Sequence, residues 1–185
     1  MKTDLQELIR AREEADCLAD ADVVEAALDR MAAEITTALG HTNPIVYAVM
    51  NGGLILGGRI LTRLPFPLEV AYLHATRYGH ALQGTLLDWR VRPTQDLRGR
   101  TVLVLDDILD EGHTLAAIIE YLKNEGARDV YSAVLTHKVH DRKAYPGMRA
   151  DFTGLDVADR FLFGCGMDYK GYWRNAPGIY AVKGL

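Results

Sequence analysis

The stretch Val102-Leu103-Val104-Leu105-Asp106-Asp107-Ile108-Leu109-Asp110-Glu111-Gly112-His113-Thr114-Leu115 constrains this chain more than any other. Its apolar start, β-branched residues and leucines only, ends in two adjacent carboxylates. A short polar loop with one glycine and a threonine follows, then a helical run from Leu115 to Leu122. This pattern predicts a buried strand, a loop at its C-terminal end and a helix start. Open α/β sheets place ligands at such an edge, and the free N–H groups of a helix start favour a bound phosphate. Neighbouring carboxylates repel each other unless a cation or donor hydroxyls compensate them. They suit sugar hydroxyls or a hydrated divalent cation. One stretch thus carries groups for a phosphate, a sugar and a metal. The plain alternative is a strand-to-helix connection whose carboxylates are solvated.

The remainder predicts an α/β protein. Leu5, Leu8, Ile9 and Leu18, then Val23, Val24, Ala27, Leu28, Met31 and Ile35, recur at three- and four-residue steps. They read as two amphipathic helices, with Asp20 or Asp22 capping the second and Gly40 ending it. Ile45 to Met50 reads as a strand, Asn51-Gly52-Gly53 as a tight turn, Leu54 to Leu64 as a helix and Leu68 to Leu73 as a strand. Residues 74–97 are polar and irregular, with a weak strand at Thr85 to Val91. Val130 to Thr136 is a further buried strand and 137–150 a loop. Phe152 to Leu155, Phe161 to Phe163 and Gly178 to Val182 are short strands. Strand–helix–strand alternation predicts a mostly parallel, twisted sheet flanked by helices.

A chain of 185 residues is one domain of ordinary size, with or without an appendage. Its formal net charge of −4, with no basic stripe, argues against a nucleic-acid partner. Every long apolar run is broken well short of a membrane span, so no membrane partner is expected. Residues 1–16 lack the apolar core of a signal peptide, so the expected compartment is the cytoplasm. Cys17 and Cys165 have no metal-ligand spacing and read as reduced structural thiols.

Leu103 to Thr114, with Val102 before it, resembles the phosphoribosyl-pyrophosphate signature of the type I phosphoribosyltransferases: four apolar residues, two acidic, two apolar, then Asp-x-Gly-x-Thr. From about Ile45 to Ala181 the chain is similar to the hypoxanthine-guanine branch of that family. The likeness includes Gly52-Gly53, Lys138, Asp151-Phe152-Thr153-Gly154, Asp159-Arg160-Phe161-Leu162-Phe163-Gly164, Met167-Asp168-Tyr169 and Tyr172-Trp173-Arg174. The resemblance implies the type I phosphoribosyltransferase fold with a small hood. Residues 41–185 would form the domain including a C-terminal hood. The helical segment 1–40 would belong to that domain or to the hood.

The resemblance also implies reversible transfer of 5-phosphoribosyl from phosphoribosyl pyrophosphate to a purine, with Mg²⁺ as cofactor. Asp106 and Asp107 would bind the ribose hydroxyls, directly or through hydrated Mg²⁺. Asp110 would be the general base beside N7 of the purine, its plain alternative being a helix cap. Glu111, Gly112, His113 and Thr114 would contact the 5′-phosphate. Lys138 would donate to the 6-oxo group, Phe161 would stack on the ring and the Leu162 backbone would read the base edge. Asp168 would bind a second Mg²⁺ through pyrophosphate, and Arg174 would contact pyrophosphate. Asn51 and Gly52 lie where the family binds pyrophosphate with backbone amides, around a non-proline cis peptide. Arg77 and Tyr78 lie in a stretch resembling the mobile lid that closes over the reacting centre. The family forms homodimers or homotetramers, with the apolar helix Leu54 to Leu64 as a contact surface.

Four positions depart from the family pattern. Asp106 stands where Glu is usual, Glu111 where Thr or Ser is common, Asn51 where Lys is common, and His113 at a variable position. An anionic Glu111 suits a phosphate site only if its side chain points away. The leading reading is a purine salvage enzyme for hypoxanthine or guanine. The rivals are a regulatory protein that senses phosphoribosyl pyrophosphate or purine without turnover, and a phosphoribosyltransferase preferring xanthine. A donor at Lys138 implies a 6-oxopurine, because adenine would set a donor against a donor.

Overall fold

The computed structural model describes residues 4–77 and 87–184, with the side chains of Arg77 and Leu87 left aside. The first half runs α1 (Leu5–Glu13), β1 (Asp16–Ala19), α2 (Ala21–Leu39), β2 (Ile45–Val49), α3 (Gly53–Ile60), a 3₁₀ turn (Leu61–Arg63), β3 (Glu69–Arg77) and β4 (Leu87–Val91). The second half runs β5 (Thr101–Leu109), α4 (His113–Asn124), β6 (Asp129–Val139), β7 (Phe152–Ala158), β8 (Leu162–Phe163) and β9 (Ile179–Ala181). The large sheet has the order β4-β3-β2-β5-β6-β7. All its pairings are parallel except that of β4 with β3. A second, antiparallel sheet of order β1-β9-β8 forms the hood.

Both faces of the large sheet are covered, which is why its central strands are apolar throughout rather than alternating. Along β5, Leu103 and Leu105 enter a core with Val24, Leu28, Met31 and Ile35 of α2 and Leu56 of α3. Val102 and Val104 enter a separate core with Leu115, Ile118 and Leu122 of α4. Helix α2 begins at Asp20, whose carboxylate accepts from the Val23 N–H at 3.0 Å.

Two elements differ from the sequence reading because their partners are distant in the chain. Leu18 does not continue an N-terminal helix; it lies in β1, which pairs with β9 through Asp16–Ala181 and Cys17–Tyr180. Strand β5 does not stop at the acidic pair but runs to Leu109, because β6 continues beside it and pairs Asp106 with Val134 and Ile108 with Thr136. For the same reason Lys138 sits inside β6 rather than in a loop after it. The helix expected at Leu54 to Leu64 starts at Gly53 and tightens into the 3₁₀ turn after Ile60. Of the weak strand expected at Thr85 to Val91, Thr85 and Leu86 lie outside the described residues and the rest is β4.

The hood is held by aromatic packing and by α1. Phe163 and Tyr180 stack with centroids 5.5 Å apart, and the Arg12 guanidinium lies 3.7 Å over the Tyr180 ring. Trp173 Nε1 donates to the Leu8 carbonyl at 2.8 Å, and the Tyr169 hydroxyl donates to Glu7 at 3.0 Å. These contacts fix the segment Phe161 to Arg174, which faces the C-terminal edge of the large sheet. Both cysteines are free; Cys165 is buried, with its thiol donating to the Pro177 carbonyl at 3.0 Å. Leu28 has no solvent exposure and joins α2 to the sheet. Leu28→Ala is expected to cost about 2–5 kcal/mol in denaturant unfolding, and a loss under about 1 kcal/mol would mean α2 is not part of that core.

Candidate active site

Where β2, β5 and β6 end, a cleft of about 540 Å³ opens between the large sheet and the hood. It draws together residues far apart in sequence: Asn51 and Gly52 after β2, Asp106 to Thr114 from β5 through the start of α4, Lys138 from β6, and Phe161, Leu162, Asp168 and Arg174 from the hood. Of the residues singled out in the sequence, Arg77 ends β3 and Tyr78 lies outside the described residues.

The acidic pair sits at the floor. Asp107 is 7% exposed, and only Arg174, at 3.8 Å, comes within ion-pair range of its carboxylate among the described residues. Burial and the neighbouring Asp107 charge push the Asp106 carboxyl well above its ordinary range. Burial also pushes Asp107 up, although Asp106 and Arg174 act against it. Asp106 Oδ1 accepts from the Asp107 N–H at 3.0 Å. The backbone is shaped around the pair. A Cβ at Gly52 would land on the Asp107 carboxylate, and one at Gly166, where φ is +112°, would come within 2.7 Å of the Asp107 Cβ. Only glycine admits this approach. Across the cleft, Asp168 is engaged on both oxygens, by Arg174 Nη2 at 2.5 Å and by the Gly171 N–H at 2.7 Å.

Two helix starts border the cleft without a side-chain cap. Helix α4 follows Gly112, left-handed at φ +86°, and α3 follows Gly52. Asp4 and Asp20, by contrast, cap α1 and α2. The first N–H groups of an uncapped helix have no intrahelical acceptor and carry the positive end of its dipole. Such ends favour anions. Asp110 therefore does not act as a cap. The Met50–Asn51 peptide, beside the α3 start, is cis. At the first position of α4, His113 places Nε2 3.6 Å from Oε2 of Glu111 in the preceding loop, with both side chains partly exposed.

Asp110 instead anchors a polar cluster. Lys138 Nζ donates to its Oδ2 at 3.0 Å, and His140 Nε2 meets its Oδ1 at 2.8 Å. Burial works to raise the Asp110 carboxyl, but the hydrogen bonds from Lys138 and His140 outweigh it and hold the carboxyl below its ordinary value. Lys138 also lies 3.5 Å from Asp159 Oδ1. Asp110, His140 and Asp159 are spaced closely enough to surround a cation; the Lys138 ammonium, paired with both carboxylates, already supplies one. Phe161 is about half exposed and meets Tyr169 edge-on at 6.0 Å.

His140, Lys143 and Asp159 have no role in the sequence reading. Lys143 Nζ donates to the carbonyls of Asp110 at 2.5 Å, Lys138 at 2.7 Å and Leu109 at 3.3 Å. In a segment read as loop, nothing in the local pattern distinguishes such a lysine from a solvated one.

The acidic pair has a consequence for stability. A carboxyl held higher in the fold than in the unfolded chain binds its proton more tightly when folded, so the fold loses stability as pH rises from the unfolded value toward the raised one. Asp106→Asn keeps an Oδ1 acceptor and removes the charge. The ligand-free variant is expected to melt higher than the parent at about pH 8, with the gap closing toward about pH 4, where unfolded carboxylates titrate. Thermal melts across that range that stay parallel would show that the pair carries no uncompensated charge.

A family model described as the phosphoribosyl transferase domain matches residues 14–170. The hypoxanthine-guanine phosphoribosyltransferase of Bacillus subtilis is 28% identical over 187 residues, spanning 99% of this chain and 96% of that protein. The Aquifex aeolicus protein of the same name is 30% identical over 155 residues, spanning 83% of this chain and 86% of its own. A solved hypoxanthine phosphoribosyltransferase from Staphylococcus aureus superposes with a TM-score of 0.86 over 97% of both chains at 20% identity, a likeness of fold. With the signature at the end of β5 and a matched domain spanning most of its length, the chain belongs to the phosphoribosyltransferase family, in the hypoxanthine-guanine branch.

Proposed function

We propose that the protein transfers 5-phosphoribosyl reversibly from phosphoribosyl pyrophosphate to hypoxanthine, guanine or both, releasing pyrophosphate and IMP or GMP for purine salvage. One observation carries the reading: a single cleft joins the acidic pair, two uncapped helix starts and the Asp110–Lys138 pair beside Phe161. These match the parts of the reaction one by one. The α4 start, through the backbone of Glu111 to Thr114, would take the 5′-phosphate. The α3 start at Asn51 and Gly52, with Arg174, would take pyrophosphate. Asp106 and Asp107 would hold the ribose hydroxyls and stabilise a cationic sugar as the C1–O bond breaks. Phe161 would stack on the purine, with the Leu162 backbone along its edge.

Divalent cation chemistry fits the donor set, since the carboxylates of Asp106 and Asp107 are crowded, buried and poorly compensated. Oxygen-only ligands of this kind suit Mg²⁺. Asp106 and Asp107 would hold it on the ribose side. Asp168, whose carboxylate has lone pairs beyond its bonds to Arg174 and Gly171, would hold a second ion through pyrophosphate. Bound there, Mg²⁺ would offset the charge that develops on the leaving group. The proton is handled by the chain's own residues. As N9 attacks the sugar carbon, N7 loses its proton to Asp110, and Lys138 donates to the 6-oxo oxygen. A base entering between the two separates a pair 3.0 Å apart, freeing one as acceptor and the other as donor. Retention of both groups in the cleft favours turnover over sensing without reaction.

The reading places the enzyme in the cytoplasm; no helix among the described residues is long and apolar enough to cross a membrane. Leu54 on α3 and Val70 and Tyr72 on β3 are each more than half exposed. These apolar side chains suit burial in a homodimer or homotetramer.

The direct test is purified protein with phosphoribosyl pyrophosphate, Mg²⁺ and, in turn, hypoxanthine, guanine, xanthine, adenine and uracil, following nucleotide formation. Product with hypoxanthine or guanine is expected and none with uracil; turnover with none of the 6-oxopurines would remove the reading. Asp110→Asn should lower kcat by about 100-fold or more, the scale of general-base catalysis, with little change in affinity for phosphoribosyl pyrophosphate. Equal loss of both would assign Asp110 to holding substrate. Lys138→Ala should raise KM for the base about tenfold or more, the scale of a charged hydrogen bond. An unchanged value would take Lys138 out of base recognition.

A further inference from the structure

The two oxygens of the Asp110 carboxylate have different partners, and the difference is consequential. Oδ2 accepts from Lys138, whose ammonium has a second anion, Asp159, at 3.5 Å. Oδ1 meets His140 Nε2 at 2.8 Å. The other ring nitrogen, His140 Nδ1, accepts from the Arg142 backbone N–H at 3.1 Å. A nitrogen that accepts there carries no hydrogen, so the ring is the Nε2–H tautomer and donates to Asp110. The His140 side chain is 6% exposed, so the ring is held by packing, while the Asp110 carboxylate it meets is 45% exposed and open to the cleft. The backbone is fixed as well: Lys143 Nζ joins the Asp110 and Lys138 carbonyls, and the Ala144 N–H donates to the Glu111 carbonyl at 2.7 Å.

We propose that His140 is a positioning residue that pins Oδ1 of Asp110 and so leaves Oδ2 as the oxygen that receives the purine proton. The inference rests on Asp110 being the general base. When the base binds, Lys138 turns from Oδ2 to the 6-oxo oxygen while keeping Asp159 in reach, and Oδ2 becomes free. His140 stays, its ring locked between Oδ1 and the Arg142 N–H, and stops the carboxylate from swinging about its broad terminal torsion. In the step itself, N9 forms its bond to the ribose C1 and the C1–O bond breaks with its electron pair leaving on pyrophosphate. The N7 proton moves to Oδ2. His140 neither gains nor loses a proton. The charged groups around Asp110 are Lys138 from β6; Arg142 and Lys143 from the following loop; Asp159 after β7; Glu111 in its own loop; and His113, a titratable group at the start of α4.

The experiment is single-turnover kinetics with phosphoribosyl pyrophosphate, Mg²⁺ and hypoxanthine for the parent, His140→Ala, His140→Gln and Asp110→Asn, each also measured as kcat against pH. His140→Ala should slow the single-turnover rate by about tenfold to a hundredfold, the scale of a hydrogen bond to a charged group. Its acid limb should move to higher pH, because Asp110 has lost a donor, and its KM for phosphoribosyl pyrophosphate should stay put. Gln carries an amide nitrogen at the reach of Nε2, so His140→Gln should regain most of the rate and the parental acid limb. A parental rate and profile in His140→Ala, with Asp110→Asn crippled, would overturn the positioning role and leave the general base standing. Equal losses in the Ala and Gln variants with a raised KM for phosphoribosyl pyrophosphate would make His140 merely structural. Full turnover in Asp110→Asn would instead remove the general base on which the inference rests.

Discussion

Two carboxylates, side by side and largely taken out of water at the end of β5, set the terms for the rest of this structure. Left alone they repel and cost folding energy. Among the described residues no close ion pair relieves this; Arg174 stays at 3.8 Å from Asp107 and makes its nearer contacts with Asp168 and the Gly166 carbonyl. The fold closes around the pair with glycines instead, Gly52 from the sheet side and Gly166 from the hood. The result is a site whose charge is best balanced by something that arrives from solution. Binding sites commonly hold such unfavourable arrangements, offset by packing elsewhere. Here the packing is the doubly covered sheet, with separate cores against α2 and α4.

The same logic extends around the cleft. Helices α1 and α2 have aspartate caps, which accept from one first-turn N–H each, that of Gln6 and that of Val23. Helices α3 and α4, which start at the cleft, have none. A donor left free at a helix start is a cost in the empty protein and an affinity for anions in the occupied one. Asp110 stands between these regions, and its hydrogen bonds to Lys138 and His140 tie the loop before α4 to β6. A proton acceptor needs defined geometry before its basicity matters, and that geometry comes from residues 28 and 30 positions away.

Much of this was legible in the residues. The apolar run of β5, the acidic doublet and the glycine turn announced a strand, a ligand edge and a helix, and through the family resemblance a chemistry. Lys138, Phe161, Asp168 and Arg174 came from resemblance alone, and the cleft gathers them. What was missed shares one cause. Strand β1 exists because β9 passes beside it, β5 runs on to Leu109 because β6 does, and His140 matters because the chain turns it back onto Asp110. Periodicity records which face of a segment is buried, and it carries no trace of which other segment of the chain will lie beside it.

The amino-acid order by itself determined the class of the fold, the edge at which the site lies and the kinds of group the site contains, because burial on both faces and free helix ends leave local marks. Only the tertiary structure decided which groups touch: that Lys138 and His140 divide the two oxygens of Asp110, that Arg174 bridges toward Asp168, and that the N-terminal segment splits between the hood and the sheet. Those are matters of distance between segments remote in sequence, and hydrogen bonds and charges act over a few ångströms in space whatever the separation along the chain.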